Sequence, residues 1–326
     1  MAVAGVTDSM VSLLGLDPAS YAPHPLHADD RAYPETNCYA DILIELLHAR
    51  GDEPLAALGR SVRTDFEGDQ WTFFKPDPHD LEVLFGVDIH EAQPYRSLPD
   101  QIAEQIADGR TMIVELDSWF LPDTHATAYR REHVKSSAVM EAIDRDGKRL
   151  HYFHNQSLFA LEGEDFDGAL RLGLPPGDDH LPPYAEVVRF DAGHRLAGEE
   201  LRDAARVLFA AHVRRRPRTN PFTRFAAALD SDLPRLLEQS HDDYHAYAFA
   251  TARMAGSAFE LCASHVEWLY GDGAAAARDA LASIVAGSKA LSFKLARRKA
   301  FDPQPPVARL GEAWDEAMDA IVSLAA

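Results

Sequence analysis

The sequence predicts an α+β fold followed by a helical region, and three observations support this. Residues 1–195 mix strand and helix patterns, with prolines and aromatic residues throughout. A turn signal at Asp146-Gly147 separates two apolar stretches, which is typical of a β-hairpin. From about residue 196 the chain is rich in Ala and Leu, and its apolar residues recur at helical spacing. We therefore expect two domains, a helix packed on an antiparallel sheet over 1–195 and a helical bundle over 196–326.

The first predicted helix covers residues 38–50 and begins at a cysteine. The polar run Glu35-Thr36-Asn37 precedes Cys38, and Gly51 ends the apolar periodicity. A thiol in the first turn of a helix lies at the positive end of the macrodipole, where the thiolate form is favoured. Cys38 is therefore a candidate nucleophile, although a structural cysteine would fit the same position.

The rest of the first domain is predicted as one more helix and an antiparallel sheet. A helix is expected over 101–107 and strands over 111–116, 133–143, 148–154 and 157–161. A turn at Asp146-Gly147 places His133 opposite Ala160 rather than Asn155, so a bulge or a wider loop would be needed to align His133 with Asn155.

The second domain is predicted as five helices with short connections. One follows Gly198-Glu199-Glu200, and another begins at Pro221 with Asn220 as its N-cap. The other three are expected over 241–270, 274–299 and 309–324, the last one after a break at Asp302-Pro303-Gln304-Pro305-Pro306.

Charge and composition exclude several classes of protein. The net charge of −20 argues against a nucleic-acid-binding protein, which should carry a basic face. No apolar run approaches the ~20 residues of a membrane span, and no basic residue precedes an apolar stretch at the N-terminus, as in a secretory signal. The two cysteines do not form a disulfide framework. We expect a cytoplasmic protein with free thiols.

The strongest catalytic candidate is Cys38 with a histidine base. A cysteine nucleophile needs a nearby histidine, and a third polar group must orient the imidazole ring. A cysteine at an early helix start, followed by His133 and then Asn155 on antiparallel strands, is the order found in papain-like enzymes. Asp117 and Glu162 stay open as alternative partners of His133.

Other site residues are predicted on weaker grounds. The backbone N–H of Cys38 would supply one oxyanion-hole donor, and Asn37 or Trp119 the other. Lys289 lies on a helical face where it could meet a phosphate, and a solvated face is the alternative. His241 and His245 have the spacing of a zinc pair but no close third ligand, so no metal site is predicted. No glycine-rich nucleotide loop is present in the sequence.

Several segments resemble the butirosin biosynthesis protein H-like family. In particular, they resemble a branch of bacterial proteins encoded near carrier proteins and amino-acid:carrier-protein ligases. The segments that carry this resemblance are residues 37–48, 115–122, 133–137, 152–155, 163–166, 249–254 and 288–293.

The resemblance implies a papain-like fold and an acyltransferase. The named member of that family moves an acyl group from a carrier-protein thioester onto an amine. By resemblance, Cys38 would accept the acyl group, His133 would be the general base and acid, and Asn155 would orient the ring, where the family usually has Asp. Asp117 and Trp119 fall within a resembling segment and are weaker candidates for substrate binding, as are Asn37 and Lys289.

The implied partner is an acyl or aminoacyl carrier protein, and an amino-acid:carrier-protein ligase is a further candidate partner. The phosphopantetheine arm of the carrier protein would enter the site, and no bound cofactor is expected. Two alternatives stay open. One is a cysteine hydrolase, either a thioesterase or a peptidase, with the same residues. The other is a non-catalytic module that binds the carrier protein.

Overall fold

The computed structural model describes residues 10–173 and 183–326. The strands are β1 (Val11–Ser12), β2 (Phe66–Glu67), β3 (Gln70–Trp71), β4 (Asp88–Ala92), β5 (Thr111–Asp117), β6 (Lys135–Asp144), β7 (Arg149–His154), β8 (Ser157–Glu162) and β9 (Ala185–Arg189). The α-helices are α1 (Cys38–Ala49), α2 (Pro78–Phe85), α3 (Leu98–Ala107), α4 (Glu164–Ala169), α5 (Gly198–Arg214), α6 (Pro221–Glu238), α7 (His241–Ala250), α8 (Ala252–Tyr270), α9 (Ala275–Ala296) and α10 (Gln304–Leu324).

Contacts between residues divide the chain into two compact units, and each unit consists of segments that are not consecutive in the sequence. Unit 1 contains the segments up to Pro25, Asp41–Asp52 and Phe85–Arg195. Unit 2 contains Leu26–Ala40, Glu53–Leu84 and Leu196–Ala326. One break falls between Arg195 and Leu196, and two earlier segments join the C-terminal helices. The predicted division into domains 1–195 and 196–326 stays a prediction.

Unit 1 is built on an antiparallel sheet. Its strand order is β4-β9-β5-β6-β7-β8, with β1 also paired to β6, which makes seven strands. Every pairing in this sheet is antiparallel. Because side chains alternate between the two faces of a strand, Met112, Val114 and Leu116 of β5 share one face. These three residues join the buried core that the apolar residues of α3 and α4 complete.

The β6–β7 hairpin has the predicted turn and a bulge. Asp144 pairs with Arg149, so the turn centres on Asp146-Gly147 as predicted. The register then shifts by one residue between Met140 and Ala142. Glu141 lies at this bulge with its side chain buried, and its carboxylate accepts the Ser12 hydroxyl at 2.7 Å and the backbone N–H of Leu14 at 3.0 Å. An extra residue in one strand thus holds the N-terminal segment against the sheet.

The C-terminal helices form the larger part of unit 2. Within it, α8 packs on α9, α9 packs on α10, and α10 packs on α6. The predicted N-cap at Asn220 is confirmed, because its side chain accepts the N–H of Phe222 at 3.0 Å. The same side chain donates to the carbonyl of Gly311 in α10 at 2.8 Å, which ties the start of α6 to a second helix.

Helix α8 also anchors the segment that leads to Cys38. The carboxylate of Glu260 accepts the backbone N–H groups of Ala32 and Tyr33 at 3.0 and 2.8 Å. The guanidinium of Arg253 donates to the carbonyls of Glu35 and Thr36 at 2.8 and 3.1 Å. Charge-assisted bonds of this kind are about twice as strong as neutral ones, so residues 32–36 are fixed by side chains far along the chain.

Two predicted helices differ from those observed. The helix predicted over 241–270 is two helices, because the backbone of Thr251 leaves the helical range with φ −86° and ψ −82° between α7 and α8. The last helix begins at Gln304 rather than residue 309. Its prolines lie in the first turn, where the missing N–H groups would have no helical partner and proline is tolerated.

The α+β class with an antiparallel sheet is confirmed, and so is the helical character of the C-terminal region. No helix in the described part of the chain combines the length and apolar character needed to cross a membrane.

Candidate active site

The candidate active site is centred on Asp117 and His133, which the β5–β6 pairing brings together. Asp117 is the last residue of β5 and pairs with Lys135, the first residue of β6. His133 lies two residues before β6, so its ring reaches the same end of the strand pair. The Nδ1 atom of His133 lies 2.6 Å from Oδ2 of Asp117. A carboxylate and an imidazole at this distance share a hydrogen bond.

The second oxygen of Asp117 shapes the backbone beyond the strand. It accepts the backbone N–H of Trp119 at 3.0 Å and so caps the 3-10 turn Ser118–Phe120. The indole of Trp119 then stacks on the ring of His133, with centroids 4.6 Å apart and planes 7° apart. Asp117 and Trp119 therefore fix both the direction and the plane of the imidazole.

This arrangement determines which ring nitrogen of His133 can accept a proton. Asp117 orients Nδ1–H, so Nε2 carries the lone pair and can accept a proton. The His133 side chain is 66% exposed and that of Asp117 is 27% exposed. The ring is thus held from one side while solvent and substrate can reach Nε2.

A polar cavity of about 280 Å³ lies at this pair. Besides Asp117 and His133, its walls include Glu115, Lys135, Arg171 and Tyr184. Glu115 and Lys135 form an ion pair at 2.5 Å, and the Tyr184 hydroxyl donates to Glu186 at 2.8 Å. Burial and the neighbouring Glu186 hold the pKa of Tyr184 well above its ordinary value, so this hydroxyl stays protonated. Charges of both signs in the walls suit a polar substrate.

Cys38 is the first residue of α1, as predicted, and its side chain is partly exposed. Asn37 caps this helix. Its Oδ1 accepts the N–H groups of Tyr39 and Ala40 at 3.1 and 2.9 Å, and its Nδ2 donates to the carbonyl of Phe74 at 2.9 Å. Cys38 and Asn37 belong to unit 2, whereas Asp117 and His133 belong to unit 1.

Lys289 lines a different cavity, one of about 310 Å³ within unit 2. Its other walls include Tyr33, Arg253 and Phe293. The Lys289 ammonium donates to the carbonyl of Ala32 at 3.2 Å. Its predicted role with a phosphate stays a prediction.

Family models match most of the chain. The DUF1839 N-terminal domain matches residues 22–190, and the DUF1839 C-terminal domain matches residues 198–323. The chain belongs to the DUF1839 family. No curated protein matches it. The N-terminal match of this DUF1839 protein contains Cys38, Asp117 and His133.

Asp117, and not Asn155, is the partner of His133 in the DUF1839 N-terminal domain. Asn155 lies in the tight turn between β7 and β8, where His154 pairs with Ser157, and it adopts a left-handed φ of 46°. The bulge shifts the hairpin register by one residue, which is too little to bring Asn155 opposite His133. Glu162 is also elsewhere, at the end of β8 opposite Arg149. The structure therefore brings Asp117, left open by the sequence, into contact with His133 and places Asn155 elsewhere, while the catalytic roles of these residues stay predictions.

The two residues predicted as alternatives for the second oxyanion-hole donor each use one N–H group in another hydrogen bond. The backbone N–H of Trp119 binds Asp117, and the amide of Asn37 binds Phe74. Both hydrogen bonds fix the backbone next to a candidate residue, at Asp117 in one case and before Cys38 in the other.

Sequence reasoning identified Asp117 only as an alternative, because its contact with His133 depends on β5 and β6 being neighbours in the sheet. The apolar strand ending in Asp117 was the signal that could have placed it first.

Among the residues that the structure describes, no group of three or more His, Cys, Asp or Glu side chains could hold an ion. The side chain of His245, which forms the predicted i, i+4 pair with His241, lies outside the described part of the chain.

Proposed function

We propose that this DUF1839 protein is a cysteine-dependent acyl or aminoacyl transferase. It would take an acyl group from the phosphopantetheine thioester of a carrier protein onto Cys38 and pass it to an acceptor amine. The observation that carries the proposal is the Asp117–His133 pair, whose 2.6 Å contact leaves Nε2 of His133 as a general base. The start of α1 at Cys38 and the resemblance to the butirosin biosynthesis protein H-like family support it further.

The proposed reaction has two steps that mirror each other. The Cys38 thiolate attacks the thioester carbonyl, the bond to the pantetheine sulfur breaks, and the pantetheine thiolate takes a proton from the imidazolium of His133. An amine then attacks the Cys38 thioester, His133 accepts the proton of the amine, and the Cys38 thiolate leaves. The first step exchanges one thioester for another, so it suits a cysteine nucleophile.

A papain-like arrangement is part of the proposal. Its support is a helix that begins at the proposed nucleophile and an antiparallel sheet that carries the base. The order Cys38, Asp117, His133 departs from the order Cys, His, Asn in papain-like enzymes, because the carboxylate here comes before the histidine. This departure is acceptable on chemical grounds, since the orienting group needs only to accept the Nδ1–H.

A cysteine hydrolase with the same residues is the second candidate. The exposed His133 ring favours it, because water can reach Nε2 as readily as an amine can. Product analysis with and without an acceptor amine separates the two reactions, since a transferase forms the amide and a hydrolase releases the free acid in both cases.

The test uses a carrier protein loaded with one amino acid and follows intact mass. The wild type should gain the aminoacyl mass and lose it when hydroxylamine is added. Cys38→Ala should gain nothing, and His133→Ala should transfer about 100-fold or more slowly, the usual contribution of a general base. Cys262→Ala is the matched control, because it removes the other thiol. Full transfer activity in Cys38→Ala would overturn the proposal.

A further inference from the structure

A second histidine in unit 1 is held between a carboxylate and a serine. The Nδ1 atom of His154 lies 2.5 Å from Oδ2 of Asp123, and its Nε2 atom lies 2.6 Å from Oγ of Ser136. The hydroxyl of Tyr152 donates to the other oxygen of Asp123 at 2.5 Å. The two ring nitrogens thus contact a carboxylate on one side and a hydroxyl on the other, as in a Ser-His-Asp triad.

Three elements bring these residues together. Ser136 lies on β6 two residues before Ala138, whose partner on β7 is His154. Residues two apart on a strand share a face, so Ser136 points to the same side as Ala138. Asp123 comes from the 3-10 turn Pro122–Thr124, which the hydroxyl of Thr124 ties to the carbonyl of Leu121 at 2.9 Å.

Burial makes the carboxylate and the imidazole a fixed pair. The side chains of His154 and Asp123 are 1% and 3% exposed, whereas Ser136 is only partly buried. Burial, with the charge of Asp123, holds the pKa of Tyr152 well above its ordinary value, so its hydroxyl remains a donor to Asp123. Asp123 is the hydrogen-bond partner of Nδ1, which leaves Nε2 to accept the Ser136 proton in the proposed reaction.

We propose that Ser136 is a second nucleophile in this protein, activated by His154 and Asp123, and that it acts on uncharged acyl esters. The surroundings define the substrate class. The neighbours of Ser136 on this face of the sheet, Leu116 and Ala138, are buried and apolar. An apolar neighbourhood disfavours a charged acyl group, in contrast to the polar cavity at His133. The site does not depend on Cys38.

The reaction balances with water as the second substrate. The Ser136 oxygen attacks the ester carbonyl while its proton moves to Nε2 of His154. The bond to the alcohol oxygen breaks, and the alcohol leaves with that proton. Water then attacks the Ser136 ester, His154 again takes a proton, and the acid is released as the Ser136 hydroxyl reforms.

The test is reaction of the full-length protein with a fluorophosphonate, which forms a serine O–P bond with loss of fluoride. Peptide mapping should place the adduct on Ser136. His154→Gln and Asp123→Asn should slow labelling about 100-fold or more, the usual effect of losing a general base. Ser137→Ala is the matched control, since that serine is the neighbour on the same strand and faces the other side.

Hydrolysis of p-nitrophenyl butyrate gives a second readout. The comparison uses a Cys38→Ala background, so that the proposed transferase site cannot contribute to the hydrolysis. In that background, Ser136→Ala should abolish the activity and Ser137→Ala should not. The wild-type peptide map decides the matter even where a variant fails to fold. Absence of an adduct on Ser136 in the folded wild type, or equal labelling of Ser136 and Ser137, would mean that the four residues form only a structural network and would overturn the proposal.

Discussion

Asp117 and His133 lie 2.6 Å apart, carboxylate oxygen to Nδ1, although fifteen residues separate them in the chain. The connection between them leaves the sheet at the end of β5 and returns at the start of β6. The separation of these two residues is therefore fixed by strand register and not by local sequence.

Asp117→Asn should reduce acyl transfer by about 100-fold or more while changing stability little, since an orienting carboxylate acts through the histidine tautomer. The amide oxygen of asparagine can still accept the Trp119 N–H, so the backbone turn is kept. Transfer rate and urea unfolding measure the two effects. Glu162→Gln and Asn155→Gly are the controls, and glycine is chosen because it tolerates the left-handed φ of Asn155. A similar loss of activity in either control would contradict the assignment of Asp117.

The two thiols should differ in reactivity. Burial raises the pKa of Cys262 to about 12, so this thiol should resist iodoacetamide until the protein unfolds. Cys38, which is partly exposed, should react in the native protein. Mass spectrometry after timed alkylation counts the modified sites. His133→Ala should slow the reaction of Cys38 at neutral pH if the two act together. An unchanged rate would argue against their coupling.

Asn37→Ala should destabilise the protein by about 2–3 kcal/mol, because it removes a helix cap and leaves the Phe74 carbonyl without its donor. Asn37→Ser should cost less, since its hydroxyl keeps an acceptor at the cap and only the donor to Phe74 is lost. Urea unfolding measures both changes. Ser97→Ala is a matched control at a residue that precedes α3 without a side-chain capping bond. Equal losses in Asn37→Ser and Asn37→Ala would show that the cap contributes little.

The carboxyl group of Glu45 should make the free energy of unfolding fall as the pH rises. Its side chain is buried, and burial raises its pKa from 4.5 to about 7, against the opposing effect of hydrogen bonds from Tyr21 and His24. The folded protein therefore binds a proton here that the unfolded chain has released. This contribution to stability is complete below pH 4.5 and is lost as pH rises through 7.

Glu45→Gln keeps the acceptor oxygen and removes the charge. Relative to the wild type, it should gain about 2–3 kcal/mol of stability between pH 5 and pH 8, since one pKa unit is worth about 1.4 kcal/mol. Urea unfolding at the two pH values gives the difference. Glu91→Gln, which removes a carboxylate at an exposed site, is the matched control. If the difference in stability between Glu45→Gln and the wild type did not change with pH, the raised pKa of Glu45 would be ruled out.

Local pattern predicted the hairpin at Asp146-Gly147 and the helix start at Asn220, because each depends on a few adjacent residues. The bulge at Glu141 could not be predicted in this way, since a buried glutamate in a strand looks unfavourable until its partner Ser12 is known. The periodicity of apolar residues also does not reveal the helix break at Thr251, because the apolar pattern continues through it. The sequence favours Asn155 over Asp117 for a related reason, since order along the chain does not tell which strands are neighbours.

The bonds from Glu260 and Arg253 to residues 32–36 have a practical consequence for protein engineering. A chimera that joined the first 195 residues of this protein to the C-terminal region of another family member would replace the side chains that hold the approach to Cys38. The boundary between the two family models is thus a poor point for recombination. Exchange should succeed only when the segment before Cys38 is transferred together with the helix that anchors it.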